Sequence, residues 1–157
     1  MAALNFGGAN LAPFFTSGAS SVNLVALAGP TNPYVENAGA VGTTGSIDVQ
    51  QGATMNFQWT VGGLFCGLWA PPASWRCDVY FEALGNPFSV PALNAVTPHI
   101  PTIANQVYNV AVSIPAGAVP VGIYRVTARV MLTDQLSPAQ HPVVAFSDLG
   151  VIEFFQA

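Results

Sequence analysis

Apolar and polar residues alternate along much of the chain. That is the signature of strands buried on one side, because successive strand side chains point to opposite faces. Over residues 54–61, Met55, Phe57, Trp59 and Val61 are apolar while Thr54, Asn56, Gln58 and Thr60 are polar. Over residues 75–83 an inward set of Trp75, Cys77, Val79, Phe81 and Ala83 alternates with an outward set of Arg76, Asp78, Tyr80 and Glu82. The same period recurs over 107–114, with Tyr108, Val110, Val112 and Ile114 inward, and over 123–132, with Tyr124, Val126, Ala128, Val130 and Leu132 inward. Between those two runs the segment PAGAVPVG predicts a strand-to-strand connection, since Pro has no N–H for a ladder and Gly weakens one. A final strand is predicted over 143–146 and 151–155, interrupted at 148–150, where Gly150 suggests a bulge or bend. Shorter strands are predicted over 21–28 and 46–49, separated by the turn-rich GPTNP and ENAGAVGTTG.

No segment sustains a 3.6-residue apolar period, and 13 Pro are too densely scattered for long helices. The domain is therefore expected to be all-β. Seven or eight strands, each with one polar face, fit a two-sheet antiparallel β-sandwich better than a closed barrel. At 157 residues the chain is one domain's worth and buries roughly 70% of its unfolded surface. Residues 1–20, rich in Gly, Ala and Phe, read as an irregular N-terminal arm, and residues 21–157 as the β-sandwich domain.

The stretches GATMNFQWTV, WRCDVYFEALG and YNVAVSIPAGAVPVGIYRVTARVML resemble bacterial immunoglobulin-like sandwich domains over about residues 46–155, in strand lengths and turns. Gly122, Ile123 and Tyr124 look like the Gly-x-Tyr entry to a late strand; the resemblance implies a tyrosine corner, whose hydroxyl ties back to nearby backbone. The inter-sheet Cys pair of antibody domains is absent, because Cys66 and Cys77 are too close in sequence for that role. The resemblance implies an immunoglobulin-like architecture and no particular activity.

Charge narrows the choice of partners. Only 6% of residues are charged, far below the roughly 25% of an average domain, and three Arg with no Lys face seven acids, for a net charge of −4. No cationic footprint exists for nucleic acid. A hydrophobic content of 52% excludes disorder driven by charge and low hydrophobicity. The uncharged stretches 1–35, 49–75 and 83–124 are interrupted by polar residues, Gly or Pro every few positions, so no membrane insertion is expected. Residues 1–20 have neither the basic n-region nor the unbroken apolar h-region of a secretory signal, and no Asn-x-Ser/Thr sequon occurs, so the compartment stays open.

Three groups of side chains are candidates for function. Phe6, Phe14, Phe15, Leu64, Phe65, Leu68, Trp69, Phe154 and Phe155 lie in the leader, in one loop and in the tail; they either fold back on the sandwich or bury against other copies or a partner protein. If the strands at 75–83 and 123–132 are neighbours, Arg76, Asp78, Tyr80, Glu82, Arg125 and Arg129 share a polar face, either a contact site or a set of cross-strand ion pairs. Trp69 and Trp75, with Tyr80, could stack on sugar rings, which keeps carbohydrate as an alternative ligand. Cys66 and Cys77 either bridge or stay free; two cysteines are too few for a structural zinc site.

Catalysis has weaker support. His99 and His141 each sit beside Pro, away from any recognisable nucleophile setting. Asp78 and Glu82, four residues apart on a strand, are roughly 13 Å apart along the backbone, beyond the roughly 5 to 9.5 Å of glycosidase pairs. An enzyme would need His99, His141 and Asp134 or Asp148 brought together by loops, and no cofactor or metal is expected. The expectation is a non-enzymatic, self-associating subunit of a larger particle, surface layer or appendage, with a soluble binding module, carbohydrate-binding for example, as the alternative.

Overall fold

The computed structural model describes residues 2–6, 14–27, 39–40, 45–69, 71–85, 90–134 and 137–156, with backbone alone at 39–40, 134 and 137–142. The elements begin with β1 (Ala2–Ala3), β2 (Asn5–Phe6), β3 (Thr16–Ser17), β4 (Ser21–Ala26), β5 (Gly39–Ala40), β6 (Ser46–Asp48) and β7 (Ala53–Gly62). A short helix α1 (Leu64–Leu68) follows, then β8 (Ser74–Ala83), β9 (Leu93–Pro98), β10 (Gln106–Ile114), β11 (Gly122–Asp134) and β12 (Ser137–Phe155).

Two antiparallel sheets pack face to face. In the first, β1, β4, β7 and β10 lie side by side, with β5 also on β4 and β3 on β7. In the second the order is β2, β12, β11, β8, β9, with β6 parallel to the end of β12. The alternating positions become the core: Met55, Phe57, Trp59 and Val61 from β7 face Trp75, Cys77, Val79 and Phe81 from β8, all buried. Each fully buried aliphatic or Phe side chain of this kind stabilises the fold by roughly 1.5–3 kcal/mol. Trp59 stacks on Tyr108 at 5.2 Å between ring centres and meets Trp75 edge-on at 5.7 Å, so aromatic rings bridge the sheets at one end.

The turn chemistry is realised in detail. The Tyr124 hydroxyl donates to the Pro120 carbonyl at 3.0 Å, closing a corner at the start of β11. In β12, Asp148 pairs with Thr127 and Gly150 with Val126, which leaves Leu149 as the extra residue of a bulge. Gly150 takes φ 81°, and its N–H donates to Asp148 Oδ1 at 2.9 Å.

Where described, the expected arm is part of the sandwich. β1 pairs with β4 and β2 with β12, so residues 2–6 cross from one sheet to the other, and Leu4 between them is buried. Phe15 is also buried, beside β3 on β7. The physical reason is twofold: the edges of β4 and β12 carry unpaired backbone groups, and Leu4 and Phe15 gain by leaving water. Residues 7–13 lie outside the described residues.

Candidate functional site

The outward face of the second sheet brings the predicted polar residues together. The ladder sets Arg129 opposite Asp78, Arg125 opposite Glu82 and Thr127 opposite Tyr80. Asp78 occupies an outward position yet its side chain has no exposed surface, because two guanidiniums roof it. Arg76 Nε donates to Oδ1 at 2.7 Å, and Arg129 donates to Oδ2 through Nη2 at 2.7 Å and Nε at 3.1 Å. The Arg129 guanidinium also lies 5.2 Å from the centre of the Tyr80 ring. Arg125 turns to Asp148, donating from Nε at 3.1 Å and from Nη2. That hydrogen bond, with the one from Gly150 N–H, holds the Asp148 carboxyl below the usual carboxylate range. All three arginines are on this face, and each is engaged by a carboxylate of the same face.

The candidate aromatic platform is mostly interior. Trp75 is fully buried, and its Nε1–H donates to His99 Nδ1 at 3.1 Å. His99 Nε2 lies 2.8 Å from the Cys66 carbonyl, so that nitrogen carries the proton and the ring is the neutral Nε2–H tautomer. The Tyr108 hydroxyl lies 3.2 Å from the same Nδ1 and accepts the Ile100 N–H at 2.9 Å. Trp69 packs its ring against Phe15, Phe65 and His99, and Tyr80 sits beside Arg129. The three aromatic candidates therefore share no exposed face. His99 ties α1 to both sheets, with both ring nitrogens engaged inside the fold. The side chains of His141 and Asp134 lie outside the described residues, and Asp148 is paired with Arg125.

The cysteines do not bridge. Cys66 sits on α1, with its thiol donating to the Gly62 carbonyl at 3.3 Å, and Cys77 points into the core from β8. Burial pushes Cys66 from an ordinary 9.0 up to about 11; Cys77 is raised further, by burial and by the neighbouring Asp78 charge. Both are protonated and unreactive near neutral pH. Among the described residues no group of three or more His, Cys, Asp or Glu is placed to hold a metal ion.

The apolar candidates divide by burial. Phe15 and Phe154 are core residues, while Phe6, Phe65, Trp69 and Phe155 are partly buried. Phe14 (47% exposed), Leu64 (49%) and Leu68 (67%) remain at the surface, and they cluster at α1. Phe65 N–H donates to the Phe14 carbonyl at 2.9 Å, and the two rings stack at 5.4 Å. Gly63 N–H donates to the Ile103 carbonyl at 3.1 Å, which brings Ile103, 68% exposed, beside α1. Ile103 escapes a reading by periodicity because it lies in a Pro-interrupted loop; the uncharged run 83–124 around it is the one sequence signal. Gly63 makes the junction possible, with φ 102° and a position where a Cβ would meet the Phe14 carbonyl oxygen at 2.5 Å.

The first sheet supplies a second kind of surface. None of its strands carries a charged residue. Its outward side chains form two rows in register, Asn23–Asn56–Ala111 and Ser21–Gln58–Asn109. These residues line a shallow concavity of about 390 Å³. Among the described residues no helix is long and apolar enough to cross a membrane. No protein-family model, curated protein or solved structure matches the chain.

Proposed function

We propose that this protein is a non-enzymatic structural subunit that associates with copies of itself in a larger particle, surface layer or appendage, and that its sandwich is of the immunoglobulin-like kind. In support of that architecture, β4-β7-β10 and β12-β11-β8-β9 follow the order of strands A-B-E and G-F-C-C′ of that fold, with buried Trp75 on the strand in the place of C and Tyr124 near the start of the strand in the place of F.

The observation that carries the association is the set of exposed apolar side chains on and beside α1, namely Phe14, Leu64, Leu68 and Ile103. Such clusters mark contact sites, and the segments that build it carry no charge to be desolvated on association. Light scattering over about a hundredfold range of concentration tests the reading. A discrete multimer or filament that loses mass when Leu68→Lys is introduced, with circular dichroism unchanged, supports it. A monomer at every concentration overturns it.

One observation favours a second reading, a soluble module that binds a neutral ligand such as carbohydrate: the amide-lined concavity of the first sheet offers hydroxyl-matching donors and acceptors without charge. Retention on immobilised polysaccharide that is lost with Asn56→Ala, at unchanged mass, would favour it over association.

A further inference from the structure

His99 lies just after β9 and meets several parts of the fold at once. Its backbone N–H donates to the Ala73 carbonyl at 3.0 Å, and its ring lies among those of Trp69, Trp75 and Tyr108, with centres 5.7, 6.0 and 6.3 Å away. Only 4% of the residue is exposed. Both ring nitrogens are committed: Nε2–H donates to the Cys66 carbonyl at 2.8 Å, and Nδ1 accepts the Trp75 Nε1–H at 3.1 Å. The arrangement fits one protonation state, the neutral Nε2–H tautomer.

A second proton has no place in this socket. On Nδ1 it would face the Trp75 indole N–H, which only donates, so two donors would meet at 3.1 Å. The Tyr108 oxygen, 3.2 Å from Nδ1, can turn to accept the new proton, but it already accepts the Ile100 N–H, and Trp75 would still lose its acceptor inside the core. Trp59 offers no replacement, since its own buried Nε1–H is without a partner. The titratable groups that face the ring are Cys66 from α1 and Tyr108 from β10; burial raises both, so both are neutral near and below pH 7. β8 contributes Trp75, and the residue after α1 is Trp69, so neither brings a charge. Among the described residues no carboxylate pairs with His99.

We infer that His99 is an acid-sensitive latch: a proton taken up at Nδ1 frees the ring from Trp75 and releases α1 from the sandwich. Which element yields is set by how firmly each neighbour is held. β8 is laddered to β11 through ten positions, and β10 to β7 through nine. α1 has five residues, and its backbone is tied to Phe14 and Ile103, both outside the strands. The ring stays with α1, because Nε2–H still donates to the Cys66 carbonyl in the charged form. An imidazole in water takes up its proton near pH 6.5. The released form therefore binds a proton that the closed form has no room for, and release grows as the pH falls below that value. The latch does not depend on association between copies, although it moves the helix that carries Leu64 and Leu68.

Amide exchange of dilute wild-type protein at about pH 7.5 and about pH 5.5, corrected for the intrinsic exchange rate, tests this. The expected result is that protection of the Gly63, Cys66 and Trp69 amides falls by about tenfold, the limit for one proton over one pH unit below about 6.5. The β8–β11 ladder should keep its protection. His99→Gln, an uncharged side chain that can still accept and donate, should remove the pH dependence, and His141→Gln should retain it. Protection of α1 that is independent of pH, or a dependence that survives His99→Gln, overturns the latch. So does an equal loss in the β8–β11 ladder, which would make His99 a determinant of the whole fold. Should His99→Gln fail to fold, the ring nitrogen shifts of the wild type decide: loss of α1 protection that tracks the imidazolium of His99 supports the proposal, and an imidazolium there with α1 still protected overturns it.

Discussion

At the scale of single residues, the most informative side chain is Asp78. Alternation places it on the outward face, and register places it between two arginines, but its complete burial follows from Arg76 and Arg129 folding over it, which no spacing rule encodes. Removing the charge while keeping the shape, Asp78→Asn, leaves two guanidiniums facing a neutral amide. Breaking a buried pair this way costs about 3–5 kcal/mol, and because both arginines reach water we expect about 2–3 kcal/mol here. A urea titration reads it as a lowered midpoint at unchanged slope. Asp148→Asn, which breaks an exposed pair, is expected to move the midpoint far less; equal effects at the two sites would refute the special role of Asp78. The buried thiols give a pH dependence of known sign. They stay neutral in the fold to about pH 11 or beyond, while in the unfolded chain they ionise near pH 9.0. The unfolded state therefore releases protons first, and stability that is fully present below about pH 9 falls as the pH rises. Between about pH 8 and about pH 10 the loss should be smaller in a Cys66→Ala, Cys77→Ala double variant than in the wild type, measured by denaturation at each pH. His99 was visible only as a histidine between prolines; its role as a tie between Trp75 and α1 depends on contacts across 24 and 33 residues of sequence.

At the scale of elements, the strands with one wet face were legible because burial on one side writes a period of two. The bulge in β12 was legible because Gly150 interrupts that period at a residue suited to left-handed backbone. β9 and α1 were not. Exposed and half-buried positions alternate along β9 but include Val96 on the wet side, and α1 is too short to show a helical period. What fixes α1 is its junction with the leader at Gly63. A methyl group there would lie 2.5 Å from the Phe14 carbonyl oxygen and 2.8 Å from its carbon, on a backbone of φ 102°. Gly63→Ala is therefore expected to cost about 2–3 kcal/mol, as strained backbone plus displacement of residues 14 and 15. Gly85→Ala is the control, since Gly85 also has positive φ, 78°, with nothing near its Cβ position. It should cost about 1–2 kcal/mol. If the two variants unfold at the same urea concentration, Phe14 is not held by Gly63 and the apolar end loses its fixed geometry.

At the scale of the whole molecule, low charge is distributed rather than merely scarce. One sheet carries all three arginines with Asp78, Glu82 and Asp148 on its outer face, while the other carries no charge at all. Composition announces the scarcity, but the segregation needs the sheet order, because β7 and β10 are brought beside β4 from far along the chain. The same order explains why two of the leader and tail phenylalanines, Phe15 and Phe154, fill the sandwich, while Phe14, Leu64 and Leu68 of the apolar candidates stay at the surface. This distribution sets how association must respond to salt. Contacts through the uncharged sheet and the apolar end contain no ion pairs to screen, so raising sodium chloride from about 0.05 M to about 1 M, which shortens the Debye length to about 3 Å, should leave the association constant unchanged. Sulfate should strengthen it, because excluded salts favour burial of apolar surface. Contacts through the Arg125 and Arg129 face would respond in the opposite way, because their ion pairs would weaken with screening. Sedimentation equilibrium at the two salt levels distinguishes the faces without any substitution: a multimer that dissociates in high salt would place the contact on the charged sheet and remove the apolar end as its site.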